Sequence, residues 1–179
     1  MSKIVVLIGS SRKNGNTEIL ANSFIDGVDK QKNVVDVISV MGKKVNGCIG
    51  CDYCYKDSQH NCVHKDDMQG IYERLADADV IVIVTPIYFY GVSSQLKCII
   101  DRLHNPIRNT FKVKELVLLA VCADDIPSVF DSVQTMYHAV LSYFSLGNAG
   151  EITVPGVSEK GDIIGNPALV EARKLGESF

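Results

Sequence analysis

The residues with the clearest chemical potential are four cysteines in one short stretch. Cys48, Cys51 and Cys54 are separated by two residues each, and Cys62 follows after seven more. Thiolates spaced in this way can converge from one compact loop, which is how protein thiolates hold a [4Fe-4S] cluster. The spacing therefore favours an iron-sulfur site in the segment 46–65, which we call the cysteine loop.

Other interpretations of the cysteine loop stay open. Zinc sites usually consist of two separated cysteine pairs, and this stretch has three closely spaced cysteines instead. The last gap is longer than in ferredoxin runs, and Val63 rather than proline follows the fourth cysteine. The loop could also be reduced and free of metal, or a thiol pair that forms a disulfide under oxidation. His60 and His64 could replace a thiolate, but as loop residues they are more often simply polar.

A second candidate site is the segment 9–17, which joins a short apolar run to a helical pattern and is rich in Gly, Ser and Asn. Its hydroxyls, its free backbone N–H groups and the helix N-terminus favour an anion, and Arg12 can add a bidentate contact. The segment lacks the glycine signatures of nucleoside triphosphate and dinucleotide loops, so a monophosphate is favoured. The alternative is an ordinary helix start, capped by Asn16 or Thr17 with nothing bound.

A third candidate is the segment 85–91, in which Tyr88, Phe89 and Tyr90 stand in a row before Gly91. Loops are seldom so apolar, and aromatics at the end of a strand are well suited to flank a flat ring. The alternative is that one or two of these side chains only cover the core.

The elements that must position these segments alternate between short runs rich in Val and Ile and longer stretches with helical period. This alternation predicts a parallel α/β domain in which helices cover both faces of the sheet. In such a doubly wound sheet, ligands bind beyond the carboxyl ends of the strands. The predicted strands are 4–8, 34–38, 80–84, 116–121 and 152–154, and the predicted helices are 17–30, 68–75, 92–103, 128–146 and 168–175.

Composition limits the class of protein. With 179 residues, we expect one domain spanning 1–179. The net charge of -3 offers no basic surface for nucleic acid, and no apolar run is long enough for a signal peptide or a membrane span. We therefore expect a cytoplasmic protein without nucleic-acid or membrane partners, in which the cysteines stay reduced.

Taken together, segments 9–17 and 85–91, with the Gln95-Leu96-Lys97 and Asp101-Arg102 stretches, resemble the NADPH-dependent FMN reductase family over about residues 1–125. The resemblance implies a flavodoxin-like, three-layer fold with a five-stranded parallel sheet in the order 2-1-3-4-5. It also implies that FMN is the cofactor. By the same resemblance, the phosphate would be held by Ser10, Arg12, Asn16 and Thr17, and the isoalloxazine would be lined by Pro86, Ile87, Tyr88, Phe89 and Gly91.

The cysteine spacing, with residues 65–68 just downstream, is similar to the compact motif of iron-sulfur flavoproteins, a branch of this family. The resemblance implies that Cys48, Cys51, Cys54 and Cys62 hold a [4Fe-4S] cluster and that electrons pass between it and FMN. NAD(P)H is a possible electron donor, and a small molecule or a protein is the other electron partner. A homodimer or homotetramer is expected, in which the cluster could lie near the FMN of a neighbouring subunit.

Two alternative functions remain: a cluster-free NAD(P)H-dependent FMN or quinone reductase, and a non-enzymatic, flavodoxin-like electron carrier. No side chain is assigned a catalytic role, because the flavin itself supplies the chemistry. Where many relatives have glycines after strand four, this chain has Asp124 and Asp125, and we expect both to face solvent or a partner.

The remaining candidates are expected to be structural. Lys97 and Asp101 are four residues apart on a predicted helix and can pair on its surface. Arg102 is likewise expected to be structural. Asp66 and Asp67 suit a helix cap and first turn. Two cysteines and two histidines are assigned to the core or to helices: Cys98, Cys122, His104 and His138.

Overall fold

The computed structural model describes all residues from 1 to 179. Five parallel strands form the main sheet in the order β2-β1-β3-β5-β6, and the two-residue strand β4 pairs antiparallel with the end of β3. With this short strand set aside, the order is the predicted 2-1-3-4-5, so the doubly wound fold is confirmed. The strands are β1 (Ser2–Ile8), β2 (Asn33–Ser39), β3 (Val80–Tyr88), β4 (Gly91–Val92), β5 (Glu115–Val121) and β6 (Gly147–Val154).

Six α-helices surround the sheet, one more than predicted, because a single short turn forms inside the cysteine loop. Two 3-10 turns, Pro106–Thr110 and Pro127–Phe130, precede β5 and the fifth helix. The predicted helix 128–146 is therefore a 3-10 turn followed by a shorter helix, and β6 starts five residues before the predicted 152–154. The helices are α1 (Asn16–Gly27), α2 (Tyr53–Lys56), α3 (Met68–Ala76), α4 (Ser94–Arg102), α5 (Asp131–Phe144) and α6 (Pro167–Glu177).

Both faces of the sheet are buried, as the continuous apolar strands predict. Alternate residues of β1 point to opposite faces: Ile4 and Val6 pack with α1 and α6, whereas Val5 and Leu7 pack on the side of α3, α4 and α5. The two helices of the first face approach very closely. A Cβ added to Gly27 would stand 2.0 Å from the carbonyl oxygen of Arg173, so only glycine permits this contact.

None of the helices combines the length and the apolar character needed to cross a membrane.

Candidate functional site

The segments 9–17 and 85–91 meet at the carboxyl edge of the sheet, because β1 and β3 are neighbours. The Gly9 N–H donates to the carbonyl of Val84 over 2.7 Å. From the start of α4, the buried Ser93 hydroxyl donates to the Gly9 carbonyl over 2.5 Å, and the Ser93 N–H donates to the hydroxyl of Thr85 over 3.4 Å. The two predicted cofactor loops are therefore fastened to one another through buried hydrogen bonds.

The start of α1 has the free donors that an anion needs. Gly15 occupies the N-cap position in extended conformation and no side chain caps the helix, so capping by Asn16 or Thr17 is not observed. The backbone N–H groups of Asn16 and Thr17 donate to no protein acceptor. Ser10 is buried, and its hydroxyl accepts a 3.2 Å hydrogen bond from the Arg12 N–H.

Arg12 itself is exposed, and one of its guanidinium nitrogens donates to the Ser158 carbonyl over 3.4 Å. Its remaining donors are free, so the guanidinium is available beside the start of α1. The segment 9–17 thus combines one exposed cation with several backbone N–H donors.

The Asn16 side chain has another role than the predicted one. Its amide nitrogen donates to the carbonyls of Val157 and Glu159 over 3.3 and 2.8 Å. Its amide oxygen accepts from the N–H groups of Gly161 and Ile163 over 2.9 and 3.4 Å. Because the whole amide holds the segment 157–163, any contact between Asn16 and a phosphate has to come from its backbone N–H.

The segment 85–91 forms a two-residue hairpin that presents its aromatics to solvent. Tyr88 pairs with Gly91 across the turn, and the two residues between them, Phe89 and Tyr90, have positive φ angles of 46° and 63°. Two-residue hairpins commonly need positive φ at both central positions, but the conformation is costly for bulky residues, and such strain clusters at functional sites. Phe89 is 97% exposed and Tyr90 is 58% exposed, so these rings do not cover the core.

The other two residues of this segment with a predicted flavin contact lie deeper. Pro86 is buried in the sheet opposite Val121, and Ile87 is only 7% exposed. Their side chains belong to the core, so contact with a flavin would be made mainly by backbone atoms. Tyr88, Phe89 and Gly91 remain the accessible part of the predicted ring site.

After β5, Asp124 and Asp125 are both exposed, as expected. The Asp124 carboxylate accepts from the N–H of Ile126 over 3.1 Å, and its carbonyl accepts from Gly156 over 2.9 Å. Cys122 lies just before them and is buried, in agreement with a core role. The carboxylates therefore belong to a turn held by the segment after β6.

The cysteine loop is exposed and carries four free thiols. Cys48 and Cys51 are exposed, whereas Cys54 and Cys62 are half-buried. Burial raises the pKa of the Cys54 thiol, and the charges of the three neighbouring thiolates raise it further. No three Cys, His, Asp or Glu side chains in the molecule lie close enough together to hold a metal ion. A cluster would therefore require the loop to close around it.

A buried ion pair fastens both ends of the cysteine loop to the end of α4. The guanidinium of Arg102, whose side chain is 2% exposed, donates to the Asn46 carbonyl and to the Asp66 carboxylate, both over 3.0 Å. Asp66 also accepts from the Asn46 N–H over 2.9 Å. One nitrogen of this guanidinium, Nε, is buried without a partner. The sequence predicts a structural role for Arg102, but no local pattern indicates that this arginine is buried.

Of the two adjacent acids, only Asp66 makes a side-chain contact of the predicted capping kind. Asp67 occupies the N-cap position of α3 without a side-chain bond, and its carboxylate accepts from the Lys44 N–H over 2.7 Å. Only Asp66 contacts the first turn, through the Met68 N–H over 3.2 Å. Both acids therefore hold the chain that leads into the cysteine loop.

Further contacts tie the loop to the segment after α4. The Asn105 amide donates to the His60 carbonyl over 2.7 Å, and the Tyr55 hydroxyl donates to the His104 carbonyl over 3.2 Å. A ring nitrogen of His60 lies 3.0 Å from the Cys54 carbonyl oxygen, so this ring supports the backbone and does not point at the thiols. The roles of Asn105 and Tyr55 depend on contacts between distant parts of the chain, so the sequence does not indicate them.

The other predicted structural residues are confirmed in outline. Lys97 and Asp101 form an exposed ion pair of 2.5 Å on α4. His138 contacts the Glu151 carboxylate over 2.6 Å at the surface. Cys98 is half-buried rather than part of the core.

Comparison with known proteins agrees with this geometry. Residues 2–146 match the family described as NADPH-dependent FMN reductase. An iron-sulfur flavoprotein of Methanocaldococcus jannaschii is 29% identical over 188 residues, covering 98% of this chain and 94% of its own. An iron-sulfur flavoprotein of Archaeoglobus fulgidus is 34% identical over 158 residues, covering 87% and 76% of the two chains.

The fold is also found among solved structures. An NAD(P)H:quinone oxidoreductase from Methanothermobacter marburgensis superposes with a TM-score of 0.74 at 13% identity, and the alignment covers 98% of each chain. At this identity the likeness concerns the fold. The family match extends over most of the chain and includes both loops at the carboxyl edge of the sheet. The chain therefore belongs to the NADPH-dependent FMN reductase family and is an FMN-dependent oxidoreductase.

Proposed function

We propose that this oxidoreductase is an iron-sulfur flavoprotein, which uses FMN together with a [4Fe-4S] cluster and exchanges electrons between them. The observation that carries the proposal is the cysteine loop: four free thiols lie in one segment whose two ends are fixed by the buried pair of Arg102 and Asp66. The names of the two archaeal relatives support the same assignment.

The FMN phosphate would be bound at the start of α1. There the free N–H groups of Asn16 and Thr17 and the partial positive charge of the helix N-terminus stabilise an anion, and Ser10 and Arg12 can complete the site. Tyr88 and Phe89 would stack on the ring and exclude water from one side. When bound, FMN supplies the transfer of hydride and of single electrons, so no protein side chain needs to act as acid or base.

The donor set of the cysteine loop suits an iron-sulfur cluster. Cys48, Cys51, Cys54 and Cys62 are thiols without disulfide partners, and four thiolates are the usual ligands of such clusters. The unpartnered Nε–H of Arg102, at the base of the loop, offers a buried donor and a positive charge to an anionic centre. A cluster held there would supply one-electron transfer, with NAD(P)H as the expected source of electrons and a small molecule or protein as the acceptor.

The test is an iron and flavin count on protein purified and reconstituted anaerobically. We expect about four irons per chain and broad absorption at about 400 nm beyond the flavin bands. Cys62→Ser should lower the iron content and leave FMN binding unchanged, whereas Cys98→Ser, which changes a half-buried cysteine outside the loop, should keep both. Iron near zero in the unsubstituted protein after reconstitution would refute the cluster.

A second candidate is a cluster-free NAD(P)H-dependent FMN or quinone reductase. It is favoured by the separation of the thiols, since no three of them lie close enough to bind a metal. Iron-free, FMN-loaded protein should then oxidise NADPH or NADH at its full rate with a quinone acceptor. If neither nucleotide is oxidised by iron-free or iron-loaded protein, the oxidoreductase takes its electrons from another small molecule or from a protein.

We also infer assembly into a homodimer or homotetramer through the cysteine loop. The loop exposes four apolar side chains, with Ile49 66%, Tyr53 45%, Tyr55 49% and Val63 41% exposed. Adjacent exposed apolar residues of this kind commonly mark interfaces. Sedimentation velocity should show a dimer or tetramer that Ile49→Asp weakens, and a monomer at all concentrations would contradict the inference.

A further inference from the structure

A large apolar cavity lies on the opposite side of the sheet from α1 and α6. It has a volume of about 330 Å³, and 17 of its 19 lining residues are hydrophobic. The floor is formed by β1, β3 and β5, with Leu7, Ile81 and Leu118, and α4 and α5 form the walls. The volume falls within the range of small-molecule sites, roughly 300–1,000 Å³. No residue of segments 9–17 or 85–91 lines the cavity, so it is distinct from the predicted FMN site.

Helix α5 forms one wall of the cavity with the side chains of Val133, Tyr137 and Val140. Of its 14 residues, only Val133, Tyr137 and Leu141 are buried. The Tyr137 hydroxyl, the polar group of this wall, is fully engaged: it contacts the Leu116 carbonyl over 2.7 Å and the Asn148 side chain over 3.0 Å. The wall therefore offers apolar surface to an occupant and no free hydroxyl.

The cavity opens to the surface beside the cysteine loop. A neighbouring groove of about 430 Å³ shares five lining residues with it and includes Cys48 and His104. The shared residues form the passage between cavity and groove: Ile100, Leu103, Arg108, Val140 and Phe144. A ligand could therefore enter from solvent without unfolding any element.

Arg108 is the one charged residue of the cavity lining, and it has no anionic partner. Its Nη1 donates to the backbone carbonyls of His104 and Asn105, and the guanidinium lies 5.0 Å from the centre of the Phe144 ring. Its Nε is buried without a partner. Arg108 takes part in none of the ion pairs of the chain, and Asp101, which lines the neighbouring groove, is paired with Lys97.

A guanidinium is always charged, and a partly buried charge is usually paired. Here the unused donors of Arg108 stand at the entrance of an apolar space. We propose that the cavity binds an amphipathic monocarboxylate, with its apolar body among the side chains of the sheet, α4 and α5 and its carboxylate on Arg108. Neither FMN nor an iron-sulfur cluster is needed for this binding, so the proposal is independent of the function proposed above.

Calorimetric titration of FMN-saturated protein with decanoate, and in parallel with decanol, tests the proposal. We expect one decanoate per chain and a negative heat-capacity change from apolar burial. Arg108→Gln should weaken decanoate binding about tenfold or more and leave decanol binding unchanged, since it removes a charge-assisted contact. Arg173→Gln is the matched control. Arg173 has an exposed side chain on α6, at the other face of the sheet, so this variant should bind decanoate normally.

A second variant tests the location without touching the charge. Val140→Phe places a larger side chain in the passage and should abolish binding of both compounds while the protein stays folded, as judged by thermal unfolding. Equal affinities of decanoate for the unsubstituted and Arg108→Gln proteins would overturn the proposal. The proposal would also be overturned if the protein is a dimer in which the second copy fills the cavity and decanoate does not bind. That result would identify this face as an interface.

Discussion

At the scale of single residues, the buried charge of Arg102 has the greatest structural consequence. Its side chain and that of Asp66 are 2% and 4% exposed, whereas the other carboxylate ion pairs of this chain lie nearer the surface. A buried pair adds little net stability by itself, but removal of one partner leaves the other charge uncompensated. Arg102 is thus a positioning residue for the cysteine loop.

Arg102→Gln should therefore destabilise the protein by about 3–5 kcal/mol, measured by urea unfolding, because Asp66 is left buried without its cation. Lys112→Gln is the control, since it breaks the exposed pair with Asp77, whose side chain is 60% exposed, and we expect no measurable change. If the two variants unfold at the same urea concentration, the structural role assigned to Arg102 is wrong.

Substitution of Phe89 tests the predicted contact of this ring with the flavin. Its ring is 97% exposed and lies on a backbone of positive φ, so it contributes little to the core. Phe89→Ala should weaken FMN binding about two- to tenfold through loss of stacking, while the thermal midpoint is kept or slightly raised. Quenching of FMN fluorescence during titration measures the affinity. Tyr143→Ala, which removes an aromatic residue that is 73% exposed on α5, should leave FMN affinity unchanged.

At the scale of elements, α4 joins the two predicted redox sites. Ser93, at its N-terminal end, bonds to Gly9 of the segment 9–17, and Arg102, its last residue, holds the cysteine loop. A helix of nine residues spans only about 13 Å. One short and rigid element thus fixes the distance between the two loops within a single chain.

The segment 157–163 depends on α1 in a comparable way. The Asn16 amide makes four hydrogen bonds to the backbone of the segment 157–163. Asn16→Ala should therefore increase amide hydrogen exchange at Gly161 and Ile163. It should also lower the free energy of unfolding by about 1–3 kcal/mol. Exchange in β3, on the far side of this contact, should not change. Unaltered protection of residues 157–163 would show that the side chain has no such role.

At the scale of the whole molecule, the stability should depend on acidic pH. The hydrogen bond from Arg74 lowers the pKa of Asp36. Burial opposes ionisation of Asp66, but hydrogen bonds from the Asn46 backbone and from Arg102 outweigh it and lower its pKa. A carboxyl with a lowered pKa in the folded state contributes stability above its ordinary value of 3.8, and this contribution is lost as the pH falls through the folded value.

We therefore expect the free energy of unfolding to be constant near neutral pH and to fall as the pH drops below about 4. Asp66→Asn should reduce the steepness of this fall, because one of the linked carboxyls is gone. Asp125→Asn, which changes an exposed carboxylate without an ion-pair partner, should keep the slope of the unsubstituted protein. Urea unfolding at a series of pH values provides the measurement, and identical slopes for the two variants would contradict the linkage.

The sequence by itself determined the parallel sheet and the two loops at its carboxyl edge, whereas the strand order was an implication of the family resemblance. These features follow from local signals: apolar runs of strand length, helical periodicity between them, and turn residues at fixed places. For the aromatic run 88–90, the sequence left open whether the rings flank a ligand or cover the core, and the structure exposes all three.

Only the tertiary structure decided which polar side chains are engaged with the backbone of distant segments. Asn16 and Arg102 are 141 and 56 residues away from carbonyls that they hold, and no local pattern records such partners. The cavity beneath α5 is likewise invisible in the sequence, where the helix has an ordinary amphipathic pattern. Packing distance between an apolar helix face and a sheet depends on side chains from several elements at once, and only the folded chain brings these together.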